Sequence, residues 1–143
     1  MILMNATESS VFNLECMTHL QFEGNHIHLL SKRKLTCNEE IFQALMTDLY
    51  GMIGQMSNLF VMPTGWAFNM DHVEQIEYFD LDVAEDIRPT TAMVRFINGN
   101  MMRMNAQDVI AFHQLLEAKA PKRQEMSNLW IPGQRNGKSD TDL

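Results

Sequence analysis

The sequence predicts a single α+β domain, in which two helices pack on one face of an antiparallel sheet of about five to six strands. Three patterns support this prediction: alternating apolar and polar residues over 11–37, an apolar helical repeat over 39–56, and a strand–turn–strand–helix order over 92–117. Strands that are joined by short connections pair antiparallel. A helix with one apolar stripe buries that stripe against the sheet.

Residues 11–37 are predicted to form one long hairpin. Apolar and polar residues alternate on both sides of the turn candidate at 23–26, which is typical of strands with one face in water. The predicted register places Gln21 opposite His28. It also places the thiols of Cys16 and Cys37 on the buried face and the imidazoles on the exposed face. These imidazoles belong to His19, His26 and His28.

Asn38 is the predicted N-cap of the first helix, because its side chain can accept a hydrogen bond from a first-turn amide. Two glutamates follow it, at the end of the helix where the dipole favours acids. The helix is predicted to extend to about Met56. Short strands are then predicted over residues 59–62, 66–68 and 73–79.

The second hairpin is centred on Asn98-Gly99, a pair that tolerates the positive φ angles of a two-residue type I′ turn. Its return strand leads into a helix that Asn105 is predicted to cap, with Asp108 as the partner in a capping box. The two halves of the chain therefore share a hairpin-then-helix order. Because they lack residue similarity, the sequence indicates an internal echo rather than a repeat.

The domain is predicted to span residues 1–118. Residues 119–143 are rich in Pro, Gly, Asn and Ser, which predicts a flexible tail. Within this tail, the apolar island Leu129-Trp130-Ile131 can dock on the domain, dock on a partner or stay unstructured. Trp130 is therefore a candidate partner-binding residue.

Composition limits the classes of function. The formal net charge is −7, and acids outnumber bases over residues 1–118. Binding to a phosphate backbone depends on Lys and Arg, so we expect no general nucleic-acid binding. We expect instead a protein partner with a basic face, and self-association into a homodimer or larger assembly. No apolar run reaches the roughly 18 residues of a membrane helix, which predicts a cytoplasmic protein without membrane contact.

The exposed histidines and two lysines form the first candidate site, a histidine face: His19, His26, His28, Lys32 and Lys34. Imidazoles titrate near pH 6.5, so this face can sense pH or bind an anion, with Trp66 or Phe68 stacking on a base. A solvated face with nothing bound is the alternative. The cysteines and histidines have zinc-like spacing, but the register places them on opposite faces, so we expect no metal and no cofactor.

An acidic run forms the second candidate site: Asp71, Glu74, Asp80, Asp82, Glu85 and Asp86. Its spacing does not follow a calcium loop. It is predicted to be a charged segment that keeps an exposed edge soluble, an acidic surface for a basic partner, or the metal-binding site of a small enzyme. The chain has no nucleophile elbow, phosphate loop or dinucleotide fingerprint, so we expect no enzyme.

Residues 69–77 read N-x-D-x-V-E-x-I-E and precede an apolar strand, an N-G turn and a helix. This pattern resembles the small FlbD-like proteins that are associated with bacterial flagellar regulation. The resemblance covers about residues 65–118 and implies a non-enzymatic accessory or regulatory role. It transfers no binding residue to this chain.

These features predict a non-enzymatic bacterial or phage accessory protein that regulates by binding a macromolecule. An inhibitor that occupies a basic site on its target fits them. The alternative is a protein that senses or sequesters a small molecule or nucleotide through the histidine face.

Overall fold

The computed structural model describes residues 1–52, 56, 58–79 and 91–119. Within them lie two α-helices, α1 (Glu39–Met52) and α2 (Ala106–Lys119). The strands before α1 are β1 (Leu3–Thr7), β2 (Ser10–Asn13), β3 (Met17–Gln21), β4 (His26–Leu29) and β5 (Lys34–Thr36). The strands between the helices are β6 (Leu59–Val61), β7 (Ala67–Asn69), β8 (Val73–Phe79), β9 (Thr91–Phe96) and β10 (Met101–Met104).

The strands form three antiparallel sheets in the described part of the chain. Their orders are β1-β2, β10-β9-β8 and β5-β4-β3-β7-β6. The predicted α+β class, the antiparallel pairing and the two helices are confirmed. The strands divide among three sheets because 3-10 turns, at Leu14–Cys16 and at Met70–His72, redirect the chain from one sheet into the next.

The chain repeats one order of elements twice: two strands, a 3-10 turn, three strands and an α-helix. We call residues 3–52 the first half and residues 59–119 the second half. Their registers agree as well. Three Cα pairs show this agreement: Leu3–Asn13 matches Leu59–Asn69, Met17–Leu29 matches Val73–Phe96, and Ile27–Leu35 matches Val94–Met102. The internal echo is therefore a structural repeat.

The 3-10 turn is capped in the same way in both halves. Asn13 Oδ1 accepts from the amide of Glu15 at 3.1 Å, and Asn69 Oδ1 accepts from the amide of Asp71 at 3.0 Å. A short amide side chain that bonds to the backbone two residues ahead competes with the strand ladder. This competition explains why the strand ends at the asparagine in each half.

Both helices begin at their predicted caps. Asn38 Oδ1 accepts from the amide of Ile41 at 2.8 Å, and Asn105 Oδ1 accepts from the amide of Asp108 at 2.9 Å. The predicted capping box is wrong, because the buried Asp108 carboxylate serves another segment. It accepts from the Thr64 amide at 3.3 Å and from the Thr64 hydroxyl at 2.6 Å.

Each helix contributes to one of two cores. Helix α1 supplies Phe42, Leu45 and Leu49 to the first core. Helix α2 supplies Val109 and Phe112 to the second core. Strand β3 pairs with β7, so the two halves share the five-stranded sheet.

The turn at Asn98-Gly99 is a three-residue loop and not the predicted type I′ turn. Gly99 alone of the pair has positive φ, at +95°. Its amide donates to the Phe96 carbonyl at 2.9 Å, while the Phe96 amide donates to the Asn100 carbonyl at 2.9 Å. The matched loop of the first half has the same pair of bonds, and Lys32, with φ +76°, takes the place of Gly99.

The register of the first hairpin differs from the prediction by two residues. Gln21 pairs with His26, and His19 pairs with His28. The cause is the loop between β3 and β4, which occupies residues 22–25 and is longer than the predicted tight turn. A shift of two residues leaves side chains on the face where the alternation placed them.

The two cysteines differ in their exposure. The 3-10 turn leaves Cys16 exposed, contrary to the prediction, whereas Cys37 is buried as predicted.

Helix α1 is described as far as Met52, and residues 53–55, over which it was predicted to continue, lie outside the described residues. The acidic segment at 80–90 and the tail at 120–143 also lie outside them.

Candidate functional site

The outer face of β4 and β5 carries a group of cations and imidazoles. We call His26, His28, Lys32 and Lys34 the basic face. His26 and His28 are two residues apart on β4, so they point to the same side, and Lys34 of β5 pairs with His28. Lys32 lies in the loop between these strands and is exposed. The structure therefore brings together four of the five residues of the predicted histidine face.

Hydrogen bonds from neighbouring strands fix both imidazoles of the basic face. His28 Nε2 lies 3.0 Å from the Gln21 amide oxygen, and His26 Nδ1 lies 3.0 Å from the Thr36 hydroxyl. Gln21 and Thr36 occupy the strand positions that pair with His26. A ligand would therefore meet rings that are already oriented, which lowers the entropic cost of binding.

His19 shares a face of the sheet with its partner His28 but is buried there, contrary to the predicted exposure. Only 2% of its surface is accessible. Its ring stacks on His28 with centroids 4.1 Å apart and on Phe96 at 5.0 Å, and its Nδ1 lies 3.0 Å from the Thr18 hydroxyl. The alternation could not reveal this burial, because the aromatic rings that cover His19 come from Trp66 and Phe96, far away in the sequence.

Burial sets the protonation of the two stacked rings. Desolvation, followed by the neighbouring His28, lowers the pKa of His19 to about 3. Desolvation, followed by His26 and Lys34, also lowers the pKa of His28 below its usual value. Both rings are therefore neutral at pH 7, so neither His19 nor His28 adds positive charge at that pH.

The basic face is anchored to the second half at the loops. Asn98 Nδ2 donates to the carbonyls of Leu29 and Leu30, at 3.1 Å each. The Lys32 side chain passes over Gly99, where a Cβ would lie 3.3 Å from Nζ. These contacts hold the β4–β5 loop against the β9–β10 loop, so the lysines project from a fixed platform.

Trp66 is half-buried and packs against the second core. Its ring lies 6.1 Å from the ring of His19. The predicted role of Trp66, stacking on a bound base, stays a prediction, because the ring faces a buried histidine on one side. Trp130, the other predicted aromatic contact, lies outside the described residues.

The predicted acidic surface is described only in part. Asp71 is exposed and accepts from Asn58 Nδ2 at 2.6 Å, and Glu74 is exposed on β8. The remaining members of the run lie outside the described residues: Asp80, Asp82, Glu85 and Asp86. In the described ranges, no three His, Cys, Asp or Glu side chains converge as the ligands of a metal would.

Sequence reasoning missed two features near this site. Gln21 and Thr36 orient the imidazoles, and the alternation already placed Gln21 on the correct face. An apolar groove of about 640 Å³ lies on the other side of the β4–β5 hairpin, and it contains Arg33 and the exposed Val11. Its signal in the sequence was weak, because in the pattern Arg33 only interrupts the alternation.

Comparison with known proteins identifies a fold. No protein-family model and no curated protein matches the chain. Among solved structures, it is similar to the LytTr DNA-binding domain of a Bacillus cereus protein that is described as a methyl-accepting/DNA response regulator. The TM-score is 0.53 at 11% sequence identity, over 80% of this chain and 94% of that one. At this identity the likeness shows a shared fold.

This likeness overturns two sequence-based predictions. The acidic composition led us to expect no general nucleic-acid binding, yet the matched protein that shares this fold is a DNA-binding domain. The predicted function was an accessory protein that occupies a basic site on a macromolecule, with a small-molecule or nucleotide sensor as the alternative, and it is withdrawn in view of the same likeness. Net charge alone does not exclude nucleic-acid binding, because a binding surface needs local cations, and an average over 143 residues does not report them. Within the described part, neither helix is long and apolar enough to cross a membrane.

Proposed function

We propose that this protein is a DNA-binding module with a regulatory role, and that it acts by binding without chemistry of its own. The observation that carries the proposal is the likeness to a LytTr DNA-binding domain over 80% of the chain. The basic face supplies the contact. Lys32 and Lys34 would bind phosphate oxygens, and the fixed rings of His26 and His28 would lie beside the backbone.

The charge distribution determines the expected binding behaviour. With a net charge of −7, the chain is repelled by DNA at long range, so association is slow unless salt screens the repulsion. Close contact through a few lysines still releases counterions from the duplex. We therefore expect modest affinity that depends on the orientation of the protein.

Fluorescence anisotropy with a labelled duplex of about 30 base pairs tests the proposal across a series of salt concentrations. The double variant Lys32→Ala, Lys34→Ala should reduce the slope of log affinity against log salt by about two, since each lysine neutralises about one phosphate. Arg33→Ala is the matched control. It removes one charge from the same loop, but Arg33 lines the groove on the other side of the hairpin, so the slope should stay unchanged.

Two outcomes would contradict the proposal. One is the absence of binding by the folded full chain at low salt. The other is an unchanged salt slope in the double variant, which would place the contact on another surface. Circular dichroism of each variant confirms that it is folded, as expected because all three substituted residues are exposed.

A further inference from the structure

The hydrogen bond between His28 and Gln21 determines which nitrogen of the His28 ring carries the proton. His28 Nε2 lies 3.0 Å from Oε1 of the Gln21 side chain, and an amide oxygen can only accept a hydrogen bond. Nε2 is therefore the donor. A neutral imidazole has a single N–H, so Nδ1 of the neutral His28 ring carries no hydrogen and can act only as an acceptor.

This second nitrogen of His28 is left for a ligand. The ring stacks on His19 with centroids 4.1 Å apart and meets the His26 ring edge-on at 6.1 Å. Neither contact is a hydrogen bond, and within the described ranges the ring bonds through Nε2. His28 is half-buried, and it lies opposite Lys34 on the neighbouring strand. A phosphate held by the lysine would therefore lie beside the imidazole.

The groups around His28 disfavour a proton in the free protein. Burial, followed by His26 on the same strand and Lys34 on β5, lowers the pKa of His28 below its usual value. From β3, His19 faces the ring and is itself neutral at pH 7. The second half contributes the Phe96 ring behind His19, which has no charge. A proton added to His28 therefore needs a nearby anion to stabilise it.

A DNA phosphate supplies such an anion, but it cannot bond to the neutral ring. Its oxygens only accept hydrogen bonds, so they are repelled by the lone pair of Nδ1. A protonated His28 presents an N–H and a positive charge at the same position, which is the arrangement of a charge-assisted hydrogen bond. His28 can thus bond to a phosphate through Nδ1 only after a proton from solvent has been added there.

We propose that His28 takes up one proton from solvent, on Nδ1, when a DNA phosphate binds to the basic face, so that mild acid strengthens DNA binding. This inference rests on the proposed function, because it concerns regulation of the same surface. A site that gains a proton on binding has an affinity that increases as the pH falls, by at most about tenfold per pH unit for one proton.

His26 provides a comparison on the same strand. Its Nδ1 lies 3.0 Å from the Thr36 hydroxyl, which can donate or accept. When the hydroxyl donates, the neutral His26 ring carries its hydrogen on Nε2 and can offer it to a phosphate without proton uptake. The two imidazoles of the basic face should therefore differ in their effect on the pH dependence.

Fluorescence anisotropy with the duplex of about 30 base pairs, at constant salt between pH 7.5 and pH 6, tests the inference. The affinity of the wild-type chain should increase by about fivefold over this range. His28→Gln should lose most of the increase, because glutamine does not titrate, whereas His26→Gln should keep it. Titration calorimetry in two buffers of different ionisation enthalpy should show uptake of roughly one proton in the wild type and almost none in His28→Gln. Circular dichroism at each pH confirms that the variants are folded.

Nuclear magnetic resonance of the chain with 15N-labelled histidine tests the tautomer without DNA. At pH 7.5 the His28 signals should be those of the Nε2–H form. Gln21→Met removes the acceptor, so the neutral ring can carry its hydrogen on Nδ1, and proton uptake on DNA binding should decrease although the imidazole is retained.

The possible failures are distinguishable. An Nδ1–H tautomer of His28 in the free wild-type chain would overturn the inference, as would a pH dependence that is unchanged in His28→Gln. A wild-type chain that binds DNA without proton uptake would also overturn it, while the proposed function would stand. Absence of DNA binding at low salt would contradict both.

Discussion

The burial of His19 makes the fold sensitive to acid. Its pKa is about 3 in the folded protein and about 6.5 in an unfolded chain. Between these values the unfolded chain binds more protons, so the free energy of unfolding falls as the pH is lowered from about 6.5 towards 3. At pH 5 the loss relative to pH 7 is about 2 kcal/mol, a factor of about 30 in the folding equilibrium constant.

The surroundings of the buried His19 ring disfavour its protonation. On one side lies His28, whose own charge would repel a proton, and on the other lies the Phe96 ring. The Thr18 hydroxyl, 3.0 Å from Nδ1, can accept a hydrogen bond from the ring, but it also bonds to the His28 carbonyl and to Asn100. With 2% of the residue's surface accessible, solvent offers little compensation.

Urea denaturation at pH 7 and at pH 5 measures this effect in the wild-type chain and in His19→Gln. The amide side chain of glutamine can bond to Thr18 but does not titrate in this range. We expect the variant to lose about 2 kcal/mol less than the wild type between the two pH values. His113 also has a lowered pKa, and it contributes equally to both proteins. The pKa of His28 is lowered mainly by burial, which a glutamine at position 19 largely preserves. An equal loss in both proteins would refute the assignment of acid sensitivity to His19.

Four other substitutions test the local chemistry of the fold, each by urea denaturation at pH 7. Asn105→Ala should lower the free energy of unfolding by about 1 kcal/mol, because the α2 cap is lost, and no change would mean that water replaces it. Thr64→Val should cost about 1 to 3 kcal/mol, because the buried Asp108 carboxylate loses its hydroxyl donor at 2.6 Å; a neutral result would contradict the importance of that bond. Lys32→Gly should raise the free energy by about 0.5 to 1 kcal/mol, while Gly99→Ala at the matched position should lower it by about 1 kcal/mol or more. Changes of the same sign at both positions would contradict the match.

Local chemistry was enough to predict the start of each helix and the position of the second hairpin. Asn38 and Asn105 were found because a cap depends on residues within one turn of helix. The β8 strand was found because Val73–Phe79 is long and apolar enough to be recognised in isolation. In each case the decisive interactions join residues that are close in sequence.

The candidate site could be predicted only in part, because some of its decisive contacts join residues that are far apart in the sequence. The alternation placed His26, His28 and Lys34 on one face, and the structure confirms that they lie together. It placed His19 on that face too, but the Phe96 ring, which comes from β9 much later in the chain, stacks on this imidazole with centroids 5.0 Å apart. A pattern with a period of two reports which residues share a face, and it does not report whether another strand covers that face.

The repeat shows which cations the fold does not require. Lys32 has φ +76°, a backbone conformation that costs a residue with a side chain about 1 kcal/mol, whereas the matched residue is Gly99 with φ +95°. Lys34 is matched by Met101, which occupies the same register without a charge. Because the second half builds the same loop and the same strand pair with Gly99 and Met101, neither lysine is needed for folding. We therefore propose that the strained Lys32 serves a contact outside the chain, so Lys32→Gly should stabilise the fold while it reduces the salt dependence of DNA binding by about one phosphate.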